Sequence, residues 1–336
     1  MTQAPTPTAD TVRRLVRSLL KESANETPGP DVRPVAEGGE HSTWWVGTRH
    51  VLRLAPDREA ALRQRCELRL RDLVRPHLPV AVPTSVAHGE WAPGLTYTLD
   101  IAIPGGTAEE HDVSAVGEAD LAGLLTGLRE VPVRQAETLG VPRTPPRSLE
   151  ALRRMAVAAA ERLAAADEFD PARLHQLTPP GAAQLAAQPG AAVLAHHDLK
   201  GEHLVVSADG RVRGVLDWTG TAVGGPPPAN PRGAPPVGAR RGHPAEDIAG
   251  LALAVGSGAA VRAATLAGYG ARPCLRGLWL ARCDTVIRLT DRLEGRDDSP
   301  LQLLRTRLGR AWETILLERV TELREDPEDP EDDEEF

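Results

Sequence analysis

Apolar positions change period along the chain. Over residues 9–22 they recur every three to four positions, with Val12, Leu15, Leu19 and Leu20 on one face, and predict an amphipathic helix. A Pro/Gly-rich break follows at 25–31. Residues 35–54 then predict a β-hairpin, with strands at 43–46 and 51–54 and residues 37–42 as its turn. Residues 57–74 are rich in Arg and Leu and predict a helix, while 78–82 and 96–103 predict strands. From there the pattern is mainly helical: 118–129, 150–166 with Ser148 as its cap, 171–177 and 181–188. Residues 132–146 predict a loop with four prolines. Further helices are expected from Pro244, over 261–269, 273–293 and 299–323. Strands early and helices late give an α+β chain with a smaller sheet-bearing part and a larger helical part.

One stretch departs from the helical run. Residues 193–195 are apolar and end a buried strand. Residues 196–203 form a polar loop with His196, His197, Asp198, Lys200, Glu202 and His203. Residues 204–207 and 212–216 read as strands joined by the turn Ala208-Asp209-Gly210. Asp198 and Asp217 thus stand at the two ends of one hairpin and can face the same space. Phosphoryl transfer asks for that pairing. One carboxylate orients an acceptor hydroxyl and takes its proton, and a second holds a metal that spreads the phosphate charge. The plain alternative is a polar hairpin whose aspartates only shape turns.

His196-His197-Asp198-Leu199-Lys200-Gly201-Glu202-His203, followed by Asp217-Trp218, resembles the catalytic loop and metal-binding strand of the aminoglycoside and macrolide phosphotransferases, within the protein-kinase-like superfamily. The usual form is H-x-D-x-x-x-x-N and then I-D-W. The Asn position is His203 here, as is common in the macrolide branch. The resemblance covers roughly residues 35–295. It implies a bilobal kinase-like fold: a small N-terminal β-sheet lobe over 1–103 and a larger, mainly helical lobe over 104–324. Asp198, Lys200 and His196 are then the catalytic candidates, and His203 and Asp217 the Mg²⁺ ligands. Gly38, Gly39 and Ser42 match the loop that covers the nucleotide, and Arg53 matches the strand residue that pairs its phosphates. Arg53 needs a glutamate partner on the next helix; Glu59 and Glu67 are the candidates, and the spacing to Pro79 favours Glu67. Its alternative is an i,i+4 pair with Arg63 or Arg71 on a solvated face. Backbone groups near Ile101 and Ile103 would bind the purine, so ATP and GTP are both admitted. Asp247 in Pro244-Ala245-Glu246-Asp247 would steady the catalytic loop. The family's first Asp of that motif is missing, and residues 225–243 look like a Pro/Gly-rich insertion. Asp284, Asp291 and Glu294 are candidates for receiving a cationic acceptor.

Composition excludes more than it assigns. The net charge is −8, but nine of the 47 acids lie in residues 325–336; without them 39 basic side chains face 38 acidic ones. No basic footprint for nucleic acid remains. That tail is too charged and too broken by proline to fold. Cys66, Cys274 and Cys283 lack metal-binding spacing. No signal peptide and no membrane span are evident, so a cytoplasmic monomer or homodimer is expected. The expected activity is a small-molecule kinase that moves the γ-phosphate of ATP or GTP to an antibiotic hydroxyl. Its rivals are a metabolic kinase for choline, homoserine or a sugar, and a nucleotide-binding pseudokinase.

Overall fold

The first third of the chain builds a five-stranded sheet, seen in a computed structural model that describes residues 7–20, 31–35, 42–186, 192–224 and 243–315. Helix α1 (Ala9–Leu20) precedes strands β1 (Val32–Pro34), β2 (Ser42–Val46) and β3 (His50–Leu54). Helix α2 (Arg58–Val74) then leads to β4 (Ser85–Ala92) and β5 (Leu95–Ile101). The spatial order is β1-β2-β3-β5-β4, antiparallel throughout. Alternation decides which side chain goes where. Leu52 and Leu54 turn toward a core shared with Val12 and Val16 of α1, and Arg53 therefore points to the other face.

Two expectations for this region are corrected. The hairpin of β2 and β3 closes through residues 47–49, where Gly47 takes φ +57, and not through 37–42. Ser42 belongs to β2, and residues 37–41 lie outside the described residues. Residues 78–82 form no strand, because Pro79 and Pro83 remove ladder donors. Ala81 alone pairs, as an isolated bridge to Gly214. The strand β4 was not apparent in the sequence pattern.

The remainder is mainly helical. Strand β6 (Gly106–Thr107) opens it, followed by α3 (Ala115–Glu130), α4 (Val133–Thr138), β7 (Arg143–Thr144), α5 (Leu149–Ala165) and α6 (Pro179–Gln184). The expected loop over 132–146 thus contains a short helix and a short strand. Next come β8 (Leu194–Ala195), β9 (Leu204–Val206), β10 (Val212–Val215) and β11 (Ala222–Gly224). Helices α7 (Pro244–Val255), α8 (Ser257–Leu266), α9 (Ala271–Leu293) and α10 (Leu301–Ala311) complete it. Serines cap α3 and α5: Ser114 accepts from Gly117 N–H and Ser148 from Ala151 N–H. Helix α9 runs through the middle of the core, against α5 and α7. It approaches α7 closely at Gly277, where a Cβ would sit 2.7 Å from Ile248. Among the described residues no helix is long and apolar enough to cross a membrane.

Candidate active site

The hairpin of β9 and β10 carries the site, and His196 ties its two ends together. His196 is fully buried, edge-on to Trp218 at 4.7 Å between ring centroids. Its Nε2 lies 3.1 Å from the Leu216 carbonyl, which can only accept, so Nε2 carries the proton. Nδ1 accepts from Asp198 N–H at 3.3 Å. Burial pushes this imidazole down to about 4, which keeps it neutral near pH 7. The loop at Asp198 is thereby fixed to the strand end that precedes Asp217. Asp247, in the first turn of α7, holds the same loop from behind. Its carboxylate accepts from His196 N–H at 3.0 Å and from His197 N–H at 2.7 Å. Burial raises Asp247 to about 7, against the pull of those two N–H groups.

His197 and Asp217 both sit in the left-handed region, at φ 70 and φ 53. Such conformations cost on the order of 1–3 kcal/mol each and gather at functional sites. For Asp217 the reward is local. Its carboxylate accepts from Thr219 N–H at 3.2 Å and from the Thr219 hydroxyl at 2.5 Å.

Asp198, His203 and Asp217 offer ligand atoms that all lie within 4.8 Å of one another. His203 Nδ1 stands 2.8 Å from the Asp198 carbonyl and must therefore donate. In the neutral ring this leaves Nε2 as an acceptor, 3.8 Å from Asp217 Oδ2. Two acceptors facing across that gap suit a cation between them. The two carboxylates fit a hard divalent ion, and the imidazole is a rarer partner for one.

Arg53 meets α2 beside this cluster. Its Nη1 donates to Glu67 Oε1 at 2.9 Å and Oε2 at 3.0 Å, while Glu59 pairs with Arg63 on the exposed face. Arg71 also bonds Glu67, and reaches Asp100 at 3.1 Å. Glu67 is buried, not on a solvated face. Burial alone would raise its pKa, but Arg53 and Arg71 hold it at about 2. Burial would also lower Arg53, and Glu67 more than offsets that. Asp217, likewise opposed by burial, is held well below the usual carboxylate range by Arg53 and Thr219. Glu67 Oε1 also accepts from Trp218 N–H at 3.4 Å, joining α2 to the hairpin.

Two cavities meet at this loop. One, of about 710 Å³, lies between the sheet and the hairpin. Val35, Thr43, Trp45 and Val51 line one side, residues 101–103 its edge, and Arg53, His203 and Asp217 its charged end. The other, of about 570 Å³, lies under the start of α5. Arg147, Leu152 and Met155 line it with Glu246 and Leu253 of α7 and Asp284 and Arg288 of α9. Asp198 and Lys200 line both. Lys200 Nζ is 2.9 Å from Asp198 Oδ1.

The sequence model of the phosphotransferase enzyme family matches residues 31–229. The chain belongs to that family. No curated protein matches its sequence. Among solved structures, it resembles wild-type aminoglycoside 2'-phosphotransferase-IIIa in its GDP complex. The TM-score is 0.61 at 17% identity, over 90% of this chain and 98% of that one. It also resembles macrolide 2'-phosphotransferase MphH from Brachybacterium faecium as the apoenzyme, with TM-score 0.54 and 20% identity over 90% and 100%. Macrolide 2'-phosphotransferase type I gives TM-score 0.54 and 19% identity over 92% and 99%. At these identities the likeness establishes the kinase-like fold.

Within this phosphotransferase the predicted residues do not all gather. Asp198, Lys200, His203, Asp217, Arg53, Ile101 and Ile103 line the larger cavity, and Glu67 stands behind Arg53. His196 lines neither cavity; its ring is sequestered by Trp218 and Leu216 and ties the loop to the strand end. Ser42 opens β2 and accepts from the Trp44 indole N–H at 2.9 Å. Ile101 N–H is bonded to the Thr84 carbonyl at 2.8 Å, and Ile103 lines the cavity beside it. Of the acceptor candidates, Asp284 lines the cavity beneath α5, while Asp291 and Glu294 line neither of these two cavities. Asp291 and Glu294 lie toward the far end of α9 and pair there with Arg296. Gly38, Gly39, residues 225–242 of the insertion and the acidic tail lie outside the described residues. Sequence reasoning missed Arg147, Glu246 and Met155. A local signal existed for Arg147 alone, which immediately precedes the cap Ser148.

Proposed function

We propose that this phosphotransferase moves the γ-phosphate of ATP or GTP to a hydroxyl of a small-molecule antibiotic, of the aminoglycoside, macrolide or cyclic-peptide type, giving resistance or self-protection. One observation carries the reading: Asp198 and Lys200 line both cavities, so a group entering from either side meets the same carboxylate and ammonium. The nucleotide occupies the cavity beneath the sheet, with residues 1–103 as its lobe. The acceptor occupies the cavity beneath α5, in the lobe over 104–324. Similar structures, one a GDP complex and another a streptomycin-ATP ternary complex, support a nucleotide and a small molecule as the two partners.

In this reading Asp198 orients the acceptor hydroxyl and takes its proton as the bond to phosphorus forms. Lys200, held at Asp198, meets the transferring phosphoryl group. Arg53, fixed by Glu67, clamps the nucleotide phosphates, with Ser42 as a further contact to them. Asp217 and His203 would hold Mg²⁺, which when bound supplies charge neutralisation at the phosphates. His196 and Asp247 keep the loop in register. One chain supplies both cavities, so a monomer or a homodimer suffices.

The test is to incubate the protein with Mg²⁺, ATP or GTP, and a panel of antibiotics and metabolic alcohols. Mass spectrometry then looks for the gain of one phosphoryl group. A product on an antibiotic supports the reading. A product on choline, homoserine or a sugar alone replaces it with a metabolic kinase. Nucleotide binding without any product replaces it with a pseudokinase.

A further inference from the structure

Charge in the cavity beneath α5 narrows the class of acceptor. Apart from Asp198, its carboxylates are Glu246 and Asp284, and one guanidinium holds both. Arg147 donates to Asp284 Oδ1 at 2.8 Å and Oδ2 at 2.7 Å, and to Glu246 Oε2 at 2.8 Å. Arg288, the other arginine of this wall, pairs with Asp297 at 3.2 Å. One guanidinium thus serves two acids, engaging Asp284 through both oxygens and Glu246 through Oε2 before any ligand arrives, while Glu246 Oε1 is buried without a hydrogen-bond partner. A polycation would have to pull Arg147 away from both carboxylates or lie against its charge, and like charges brought together in a partly dry site repel strongly. Burial also raises the pKa of Glu246 and of Asp284. Apart from Ser148, His197 and Lys200, the remaining wall is apolar: Leu152 and Leu253 line it, and Met155 stands 56% exposed.

Resting on the assignment of this cavity to the acceptor, we infer that the acceptor has an apolar body with no more than one cationic group, and that Arg147 excludes polycations. Selectivity arises from a cation placed in advance on the acids a polyamine would otherwise use.

The experiment titrates two probes into the full chain with Mg²⁺ and nucleotide present: kanamycin, a polycation, and erythromycin, an apolar macrocycle with one amine. Wild type should bind erythromycin at least about tenfold tighter than kanamycin. Arg147→Gln, which releases Glu246 and Asp284, should gain at least about tenfold in kanamycin affinity, and Arg147→Lys should not. Equal or tighter binding of kanamycin by wild type overturns the inference, and so does Arg147→Gln without a gain. Circular dichroism reports whether the variants fold. Should Arg147→Gln fail to fold, Met155→Glu tests the same wall, since an exposed position tolerates charge. It should weaken erythromycin about fivefold or more, and unchanged affinity overturns the inference. Mg²⁺-dependent nucleotide hydrolysis, measured alongside, separates the two levels. Hydrolysis that Asp198→Asn abolishes, with no preference between probes, sinks the acceptor class alone. Absence of both hydrolysis and transfer sinks the kinase reading beneath it.

Discussion

In the cavity beneath the sheet, charged side chains are held apart and aimed; in the cavity beneath α5 they are tied to one another. Arg53 is braced from behind by Glu67, and Asp217 is fixed by Thr219 in a left-handed turn, so both keep their charge toward open space. Across Asp198, Arg147 closes on Glu246 and Asp284, one guanidinium shared between two carboxylates. The first arrangement suits a ligand of high charge whose phosphates need fixed partners. The second suits a ligand recognised by shape and apolar contact. A site that joins two substrates can thus prepare oppositely for each while sharing one carboxylate between them.

The largest expected effect lies at the shared carboxylate. Asp198→Asn should lower kcat for phosphoryl transfer by about 10³-fold, within the usual range for a general base, and leave nucleotide affinity nearly unchanged. Steady-state kinetics with direct nucleotide titration checks both. Arg53→Ala should act on one side only, cutting kcat/KM for the nucleotide by about 10²-fold while acceptor binding persists. Equal losses for both substrates would break the division of labour between the cavities.

Glu67 gives a prediction in pH. Its folded pKa is about 2 against an ordinary 4.5, so the folded state favours the ionised form. The stability this contributes is fully present above pH 4.5 and is lost as pH falls through the folded value. On the order of 3 kcal/mol should separate wild type from Glu67→Gln at pH 7, and the gap should close toward pH 2. Urea unfolding across that window measures it. A gap independent of pH would mean that Glu67 acts by packing. The smallest effect concerns the wall of the other cavity. Ser148→Ala removes the cap of α5 and should cost about 1 kcal/mol of stability. It should raise KM for the acceptor a few-fold while the nucleotide KM holds, which the same kinetics reads.

Legibility followed locality. The hairpin of residues 193–218 could be read because its strands, turn and aspartates are contiguous. The same holds for helix α7, whose bounds match the segment that begins Pro244-Ala245-Glu246-Asp247. Arg53 could be placed because alternation along β3 turns it away from Leu52 and Leu54. Helix α2 resisted hydrophobic patterning, since its buried face carries Gln64, Glu67 and Arg71 while Leu62 is exposed. Gln64 donates to the Arg53 carbonyl at 3.2 Å and bonds the Thr96 hydroxyl, so that face is polar because it braces a charged strand. The acceptor cavity was nearly silent in sequence. Its wall joins residues more than a hundred positions apart, such as Arg147 and Asp284, and no periodicity links them. Distance along α9 also explains why Asp291 and Glu294 were proposed with Asp284 yet stand with Arg296 instead.

The central claim is that both substrates meet at Asp198. Single-turnover transfer from γ-labelled ATP or GTP to the acceptor found by the mass-spectrometric panel, with wild type and Asp198→Asn compared at saturating nucleotide, tests it most directly. The account predicts one phosphoryl group transferred by wild type and a rate about 10³-fold lower in the variant, with nucleotide still bound. Transfer at the wild-type rate by Asp198→Asn would contradict it.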